Sequence, residues 1–357
     1  MQQYIELAKE ILEHGHHHSD RTGVGRISLY GRMLRWDLKE GFPLVTTRKV
    51  PYKAIIKELL WFISGSNSNQ ELLDQDVKIW DSWAVKEEHI DNFIAKHQHV
   101  FASENQEVLK SGLQSTFQER VGFMYGRAWR YAPADLVSML YPDITEEDIA
   151  SDKLESYREQ YPEYGEGSTW EVYLKARHYD HIDQLQNLIV GLKKRPYSSR
   201  HIVSAWLPQF VPFETLSPQE NVMLMKGSLA ACHTMFQCFV APPKKEGDKP
   251  KLSLMLTQRS ADFLVGSAFN IAQYAILTHM LAQVCDYDVG EFIYSLGDVH
   301  IYKSQVEQAK EQLQREPKHL SKLVLNPNIK DIYKFTISDI DIVDYDSHGV
   351  INYPVAI

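Results

Sequence analysis

The sequence predicts one large α+β domain, and three observations carry that expectation. Strand-like and helix-like stretches are mixed without the regular strand–helix alternation that builds a doubly wound parallel sheet. The longest apolar helical pattern, at 268–285, would need a central position under other elements. The chain has 357 residues, 44% of them hydrophobic and 24% charged, so it can bury a core without covalent staples.

The elements follow in chain order. Residues 2–14 place Tyr4, Leu7, Ala8, Ile11 and Leu12 on one face with Gly15 as a stop, which predicts an amphipathic helix. Residues 26–38 predict a long strand: Ile27 and Leu29 alternate, then Leu34, Trp36 and Leu38 alternate in the opposite phase. A bulge or kink is therefore expected around Gly31. Residues 54–64 are apolar nearly all round, as a buried helix would be, and Glu58 is their one acid. A buried carboxylate is costly unless hydrogen-bonded or paired, so Glu58 is either satisfied structure or chemistry. Residues 86–121 and 134–179 are polar and weakly patterned, and are expected to be peripheral insertions rather than separate domains. Residues 207–222 and 242–251 predict loops, the second a charged turn between strands at 236–240 and 252–257. Residues 305–314 predict a helix continuing from around Ile301.

Bulk properties exclude several classes. A net charge of −9 argues against a general DNA-binding surface, which must neutralise phosphates with lysine and arginine; a local basic pocket for one small anion stays open. The three cysteines are odd in number and lack zinc spacing, so no disulfide framework is expected and a reducing cytoplasm fits. No stretch resembles a signal peptide or reaches membrane-spanning length, so no membrane partner is expected. Thr22-Gly23-Val24-Gly25 lacks the third glycine and preceding strand of a dinucleotide fingerprint. His14, His16, His17 and His18 read as a solvated loop, so no metal is expected. No Gly-x-Ser-x-Gly elbow is present.

Cys232 is the most informative residue. It adjoins His233, and Gln258-Arg259-Ser260 follows soon after, a guanidinium and hydroxyl suited to an anion. A thiolate near cations is a nucleophile, whereas an isolated cysteine is often just a small buried apolar residue; both readings stand on the residue alone.

Ten short strings occur in order along the chain. They are Asp20-Arg21-Thr22-Gly23, Glu58-Leu59-Leu60-Trp61-Phe62, Ile79-Trp80-Asp81-Ser82-Trp83, Tyr125-Gly126-Arg127-Ala128-Trp129-Arg130 and Ser198-Ser199-Arg200. Then come Ala231-Cys232-His233, Gln258-Arg259-Ser260, Phe269-Asn270-Ile271-Ala272, Gly297-Asp298-Val299-His300-Ile301-Tyr302 and Pro354-Val355-Ala356-Ile357. Together they resemble the folate-dependent thymidylate synthase family over the whole chain outside the four segments named above.

The resemblance implies a mixed β-sheet packed with helices, one sheet face forming a homodimer interface. It implies dUMP as substrate and 5,10-methylenetetrahydrofolate as co-substrate. Cys232 matches the nucleophile, and Glu58, Tyr125 and His233 match the polar network that handles protons. Arg21, Arg259, Ser260 and, across the dimer, Arg200 match the phosphate ligands. Asn270 and Gln258 match the groups at the base, and His300 and Tyr302 those at the ribose. An amide at Asn270 suits uracil, where an aspartate would suit cytosine; on the residue alone a helix N-cap reading is as good. Ile79, Trp80, Trp83, Asp262 and Gly266 match the folate pocket, Arg48 would meet its glutamate tail, and Ala356-Ile357 resembles a closing latch.

Four places depart from the family pattern. Ser199 stands for an arginine beside Arg200, Ala230-Ala231 replaces a proline-containing pair, Ser267-Ala268 replaces Leu-Pro, and Leu207 stands for an asparagine. Reductive methylation to dTMP is the leading expectation. Hydroxymethylation, in which water replaces hydride, is the alternative, because water exclusion decides between them. A non-catalytic RNA- or protein-binding relative is disfavoured, since Cys232, Arg21, Arg259 and Ser260 are all present.

Overall fold

The computed structural model describes residues 1–19, 23–101, 105–133 and 181–355. Helix α1 (Gln2–His14) buries Tyr4, Ile5, Leu7, Ala8 and Ile11 and ends at Gly15. A six-stranded sheet runs in the order β1-β2-β8-β7-β6-β5. Its strands are β1 (His16–His18), β2 (Arg26–Asp37), β5 (Ile202–Ser204), β6 (His233–Ala241), β7 (Lys251–Asp262) and β8 (Asp288–Tyr302). The remaining pairs, β3 (Ala132–Pro133) with β4 (His181–Ile182) and β9 (Lys322–Leu325) with β10 (Ile340–Val343), form two small ribbons.

All neighbours in the large sheet are antiparallel except β7 and β8. Parallel strands need a long crossover, and the apolar stretch near 268–285 supplies it as a helix, Gly266–Cys285. Sixteen of its twenty residues are buried, so it is the central helix the composition demanded. It packs on β7 and β8 and beside α2 (Tyr52–Ser64), and the mixed sheet with helices on one face is the α+β fold expected.

The change of phase expected near Gly31 runs through three strands at one level. In β2 the buried set switches from Ile27 and Leu29 to Leu34 and Trp36; in β8 it switches from Phe292, Tyr294 and Leu296 to Val299 and Ile301. In β7 it switches from Leu252, Leu254 and Leu256 to Ala261. Pairing continues through the switch, with Tyr30 opposite Asp298 and Arg32 opposite Leu296, so the strands turn over together. Gly31 takes φ +71°, the left-handed region that favours glycine. Gly297 answers a different need: a Cβ there would lie 2.7 Å from the Arg259 carbonyl oxygen.

Several expectations are corrected. His16–His18 is an exposed edge strand, not a loop, because β2 offers it a free edge. Ile301 ends strand β8 rather than starting a helix; that helix spans Val306–Leu313 after a 3₁₀ turn at Lys303–Gln305. Residues 207–222 are not all loop. They contain the helix Pro218–Met223, started by a capping box in which Ser217 and Glu220 satisfy each other's backbone donors.

After the short helix α3 (Gln70–Leu73), residues 86–121 form α4 (Glu87–Lys96) and α5 (Gln106–Phe117). Val85, Ile90 and Phe93 join Val222 and Met223 in a second apolar cluster apart from the main core. The stretch 134–179 lies outside the described residues. Among the described residues, no helix is long and apolar enough to cross a membrane.

The two kink glycines predict distinct costs. Gly31→Ala should lose about 1–2 kcal/mol, the conformational cost of a left-handed non-glycine residue, since nothing lies within 4 Å of its added Cβ. Gly297→Ala should lose more, because strand β8 must move away from Arg259. Thermal unfolding of both variants checks the order; an unchanged Tm for Gly297→Ala would remove the close-packed kink from the account.

Candidate active site

The kink places Arg259 and Ser260 at its level on β7, and β6 begins alongside, so the chain just before β6 meets them. The Arg259 backbone N–H donates to the Cys232 carbonyl at 2.9 Å. Its guanidinium donates from Nε to the Ala231 carbonyl (3.0 Å) and from Nη2 to the Ala230 carbonyl (2.8 Å), with Nη2 3.9 Å from Cys232 Sγ. The Ala230-Ala231 pair, without a proline, is thus gripped by one side chain. Cys232 is half-buried. Burial pushes its thiol up and Arg259 pulls it back down, so the positive charge stands where it favours the ionised sulfur.

Tyr125 opens the short helix α6 (Tyr125–Arg130), and its hydroxyl accepts the Cys232 N–H at 3.0 Å. Its ring stacks on His233 at 4.4 Å. Burial pushes the Tyr125 phenol far up, so it stays protonated. Burial also drives His233 down to about 3, with a hydrogen bond to Asn270 opposing, so the imidazole is neutral at physiological pH. The Tyr274 hydroxyl lies 3.3 Å from His233 Nδ1.

Glu58 closes this chain of contacts. Trp80 donates to its Oε1 at 2.8 Å and Gln273 to its Oε2 at 3.1 Å, and burial raises its carboxyl to about 7. Trp80 in turn touches Tyr125 and Trp83 edge-on, with centroids 6.1 and 6.0 Å apart. Ile79 precedes it, half-buried.

The other expected residues divide. Gln258 is buried and its Oε1 accepts the Tyr294 hydroxyl at 2.7 Å, which also lies 3.2 Å from Ser267 Oγ. Ser260 pairs in register with Asp298, which takes Arg26 at 2.7 Å and His300 Nδ1 at 3.1 Å. His300 and Tyr302 rings meet edge-on at 5.1 Å. Asp262 accepts from Gln305, which also donates to the Pro354 carbonyl of the C-terminal stretch. Gly266 begins the central helix, and Asn270 lies one turn inside it; Val265 is the N-cap, so the capping reading of Asn270 falls.

Arg48 is buried beneath Tyr353 and donates to the Leu264 carbonyl at 2.7 Å, while its Nε has no partner. Arg200 is exposed on the loop before β5, where its N–H donates to Ser198 Oγ, and no contact joins it to the Cys232 group. Arg21, Ala356 and Ile357 lie outside the described residues. Among the described residues, no group of three or more histidine, cysteine or acidic side chains could hold a metal ion.

Sequence reasoning missed Gln273, Tyr274, Tyr294 and Gln305. The first two had a weak signal: they are polar groups on a mostly apolar helix, though less conspicuous than Glu58 because Asn270, Thr278 and His279 share it. Tyr294 and Gln305 had none, because their role depends on which strand and turn they face.

A thiol beside a guanidinium, backed by groups able to hold and release protons, is equipment for group transfer onto an anionic substrate. A family model for thymidylate synthase matches residues 2–357, and the chain belongs to the thymidylate synthase family. Enzymes of this family transfer a one-carbon unit to dUMP and use methylenetetrahydrofolate as co-substrate.

Glu58 carries a pH prediction. Its carboxyl holds a proton up to about pH 7 in the folded chain but has an ordinary value of 4.5. Between those values the folded chain binds more protons than the unfolded one, so this group's contribution to stability falls as pH rises. Glu58→Gln removes that loss and should gain, relative to the parent, on the order of 3 kcal/mol between about pH 4 and pH 8. Denaturant unfolding at both ends of that range checks this; a constant difference would contradict the raised carboxyl.

Proposed function

We propose that this chain methylates dUMP reductively, giving dTMP and dihydrofolate. The observation that carries the choice is the dry aromatic wall around Glu58. Trp80 and Tyr125 are about 95% buried and Phe62 is 1% exposed, which suits a site that keeps water from a reactive intermediate. The grip of Arg259 and Tyr125 on the Cys232 loop supports the same reading, since it fixes a stretch that lacks the family's proline.

In this reading the Cys232 thiolate forms a bond to C6 of uracil while the C5–C6 π pair shifts toward O4, making C5 nucleophilic. Arg259 favours the thiolate, and with Ser260, Arg21 and Arg200 of the partner subunit would hold the phosphate. Asn270 and Gln258 would read the base, and His300 and Tyr302 the ribose. Glu58, with a carboxyl near 7, can take or give a proton at the ring oxygen. His233 stays neutral and positions; Tyr125, with its phenol held protonated, would assist removal of the C5 proton by holding water rather than by ionising.

Folate, when bound, supplies the one-carbon unit and the reducing equivalent. Trp80, Trp83 and Ile79 offer it an apolar face, Asp262 and Gly266 lie at the mouth of the central helix, and the unpartnered Arg48 Nε suits an anionic tail. Ala356 and Ile357 would close the site. The assembly is a homodimer through the open face of the sheet, where Tyr30, Met33, Ile202 and Phe239 are exposed on strands whose other side is core. The cytoplasm is the setting.

Product analysis tests the reading: dTMP with dihydrofolate is expected, and hydroxymethyl-dUMP with tetrahydrofolate would replace it with hydroxymethylation. Cys232→Ala should reduce turnover to background, and retained activity would remove the nucleophile. Asn270→Asp should move preference toward dCMP; an unchanged dUMP-to-dCMP ratio would refute its role at the base.

A further inference from the structure

The turn that carries Trp80 and Trp83 is held from behind by segments that look peripheral in the sequence. Lys86 Nζ donates to Asp81 Oδ1 at 2.7 Å and to both Glu119 oxygens at 2.7 and 2.8 Å. Asn69, fully buried, donates to the same two carboxylates at 3.2 and 3.1 Å. Glu119 reaches this position with φ +55°, a left-handed backbone that a non-glycine residue adopts at a cost. Its backbone is pinned on both sides, donating to the Val85 carbonyl at 2.8 Å and accepting from Asn69 N–H at 2.7 Å.

A second hold comes from the 218–223 helix. Gln219, 7% exposed, donates to the Ser82 carbonyl at 2.9 Å, and Glu220 of the same helix pairs with Lys96 of α4. The Asp81–Trp83 turn is therefore fixed to the second apolar cluster, while Trp80, one residue earlier, is fixed to Glu58. Two carboxylates facing each other across a turn would repel; one ammonium between them converts the repulsion into a clamp.

We propose that Lys86 is a positioning residue for the folate-facing wall, joining Asp81 to Glu119 so that the 86–121 segment sets where Trp80 and Trp83 stand. This rests on the reading of Trp80 and Trp83 as the folate wall. Lys86 does not touch the residues read as dUMP ligands, so its effect falls on folate binding rather than on dUMP binding. Small displacements of a positioning element can cost up to about a hundredfold.

The test compares full-length Lys86→Met with the parent, measuring KM for methylenetetrahydrofolate and for dUMP, and tryptophan quenching on folate addition. The expected result is a rise of about tenfold in the folate KM and weakened quenching, within the range a misplaced positioning element produces. The dUMP KM should change less than about twofold, and Lys86→Arg should recover most of the loss. Glu119→Gln, which keeps the shape and removes one charge, is read the same way should Lys86→Met not fold. Unchanged folate KM, or equal rises for both substrates, would overturn the proposal.

Trp83→Ala separates the two layers. If it weakens folate binding while Lys86→Met does not, the clamp fails and the wall stands. If Trp83→Ala leaves folate binding unchanged, the wall reading itself fails and takes the clamp with it.

Discussion

The structure depends on one constraint, the shared turning-over of β2, β7 and β8 at a single level. A strand that flips its facing alone would lose register with its neighbours and expose its core residues. Here three strands flip together, and close approach of Gly297 to the Arg259 carbonyl lets them do so without a gap. The consequence is chemical. At the flip, Ser260 drops out of the buried row, and it and the exposed Arg259 stand beside the chain just before β6, where Cys232 is. The kink thus converts a packing irregularity into an anion-ready edge next to a thiol.

Burial does the tuning around that edge. The same desolvation raises Glu58 into the neutral range, drives His233 down and keeps Tyr125 protonated. Three titratable groups within one contiguous chain of contacts therefore take two roles. One can exchange a proton near pH 7, and two serve as fixed hydrogen-bonding groups. Among the described residues, Arg259 is the one cation that acts on the Cys232 sulfur, which makes its grip on the Ala230 and Ala231 carbonyls both structural and electrostatic.

Much of this was legible in the sequence, and the failures have physical reasons. The phase change of β2 showed as a change in which positions were apolar, because facing is what periodicity reports. Glu58 showed as an acid in an apolar helix, and Cys232 through its neighbours. The matching kinks in β7 and β8 were harder to see, since Gln258 and His300 fill buried positions with polar groups and blur the alternation. The 207–222 stretch hid a helix because its stability comes from a cap and from contacts with α4, not from propensity. The Lys86 clamp was invisible for a similar reason: Asp81, Lys86 and Glu119 are ordinary surface charges until the chain brings them together. The burial of Arg48 under Tyr353 was not legible either, since it follows from where residue 353 crosses.

The account turns on Cys232 being the accessible, substrate-facing thiol among three. Cys238 is 1% exposed and Cys285 7%, and burial raises both thiols, so neither should react in the native protein. Alkylation by iodoacetamide, followed by peptide mapping with and without dUMP, measures this directly. The account predicts that Cys232 is the residue modified and that dUMP protects it. Modification of Cys232 at the same rate with saturating dUMP, or preferential modification of another cysteine, would contradict it.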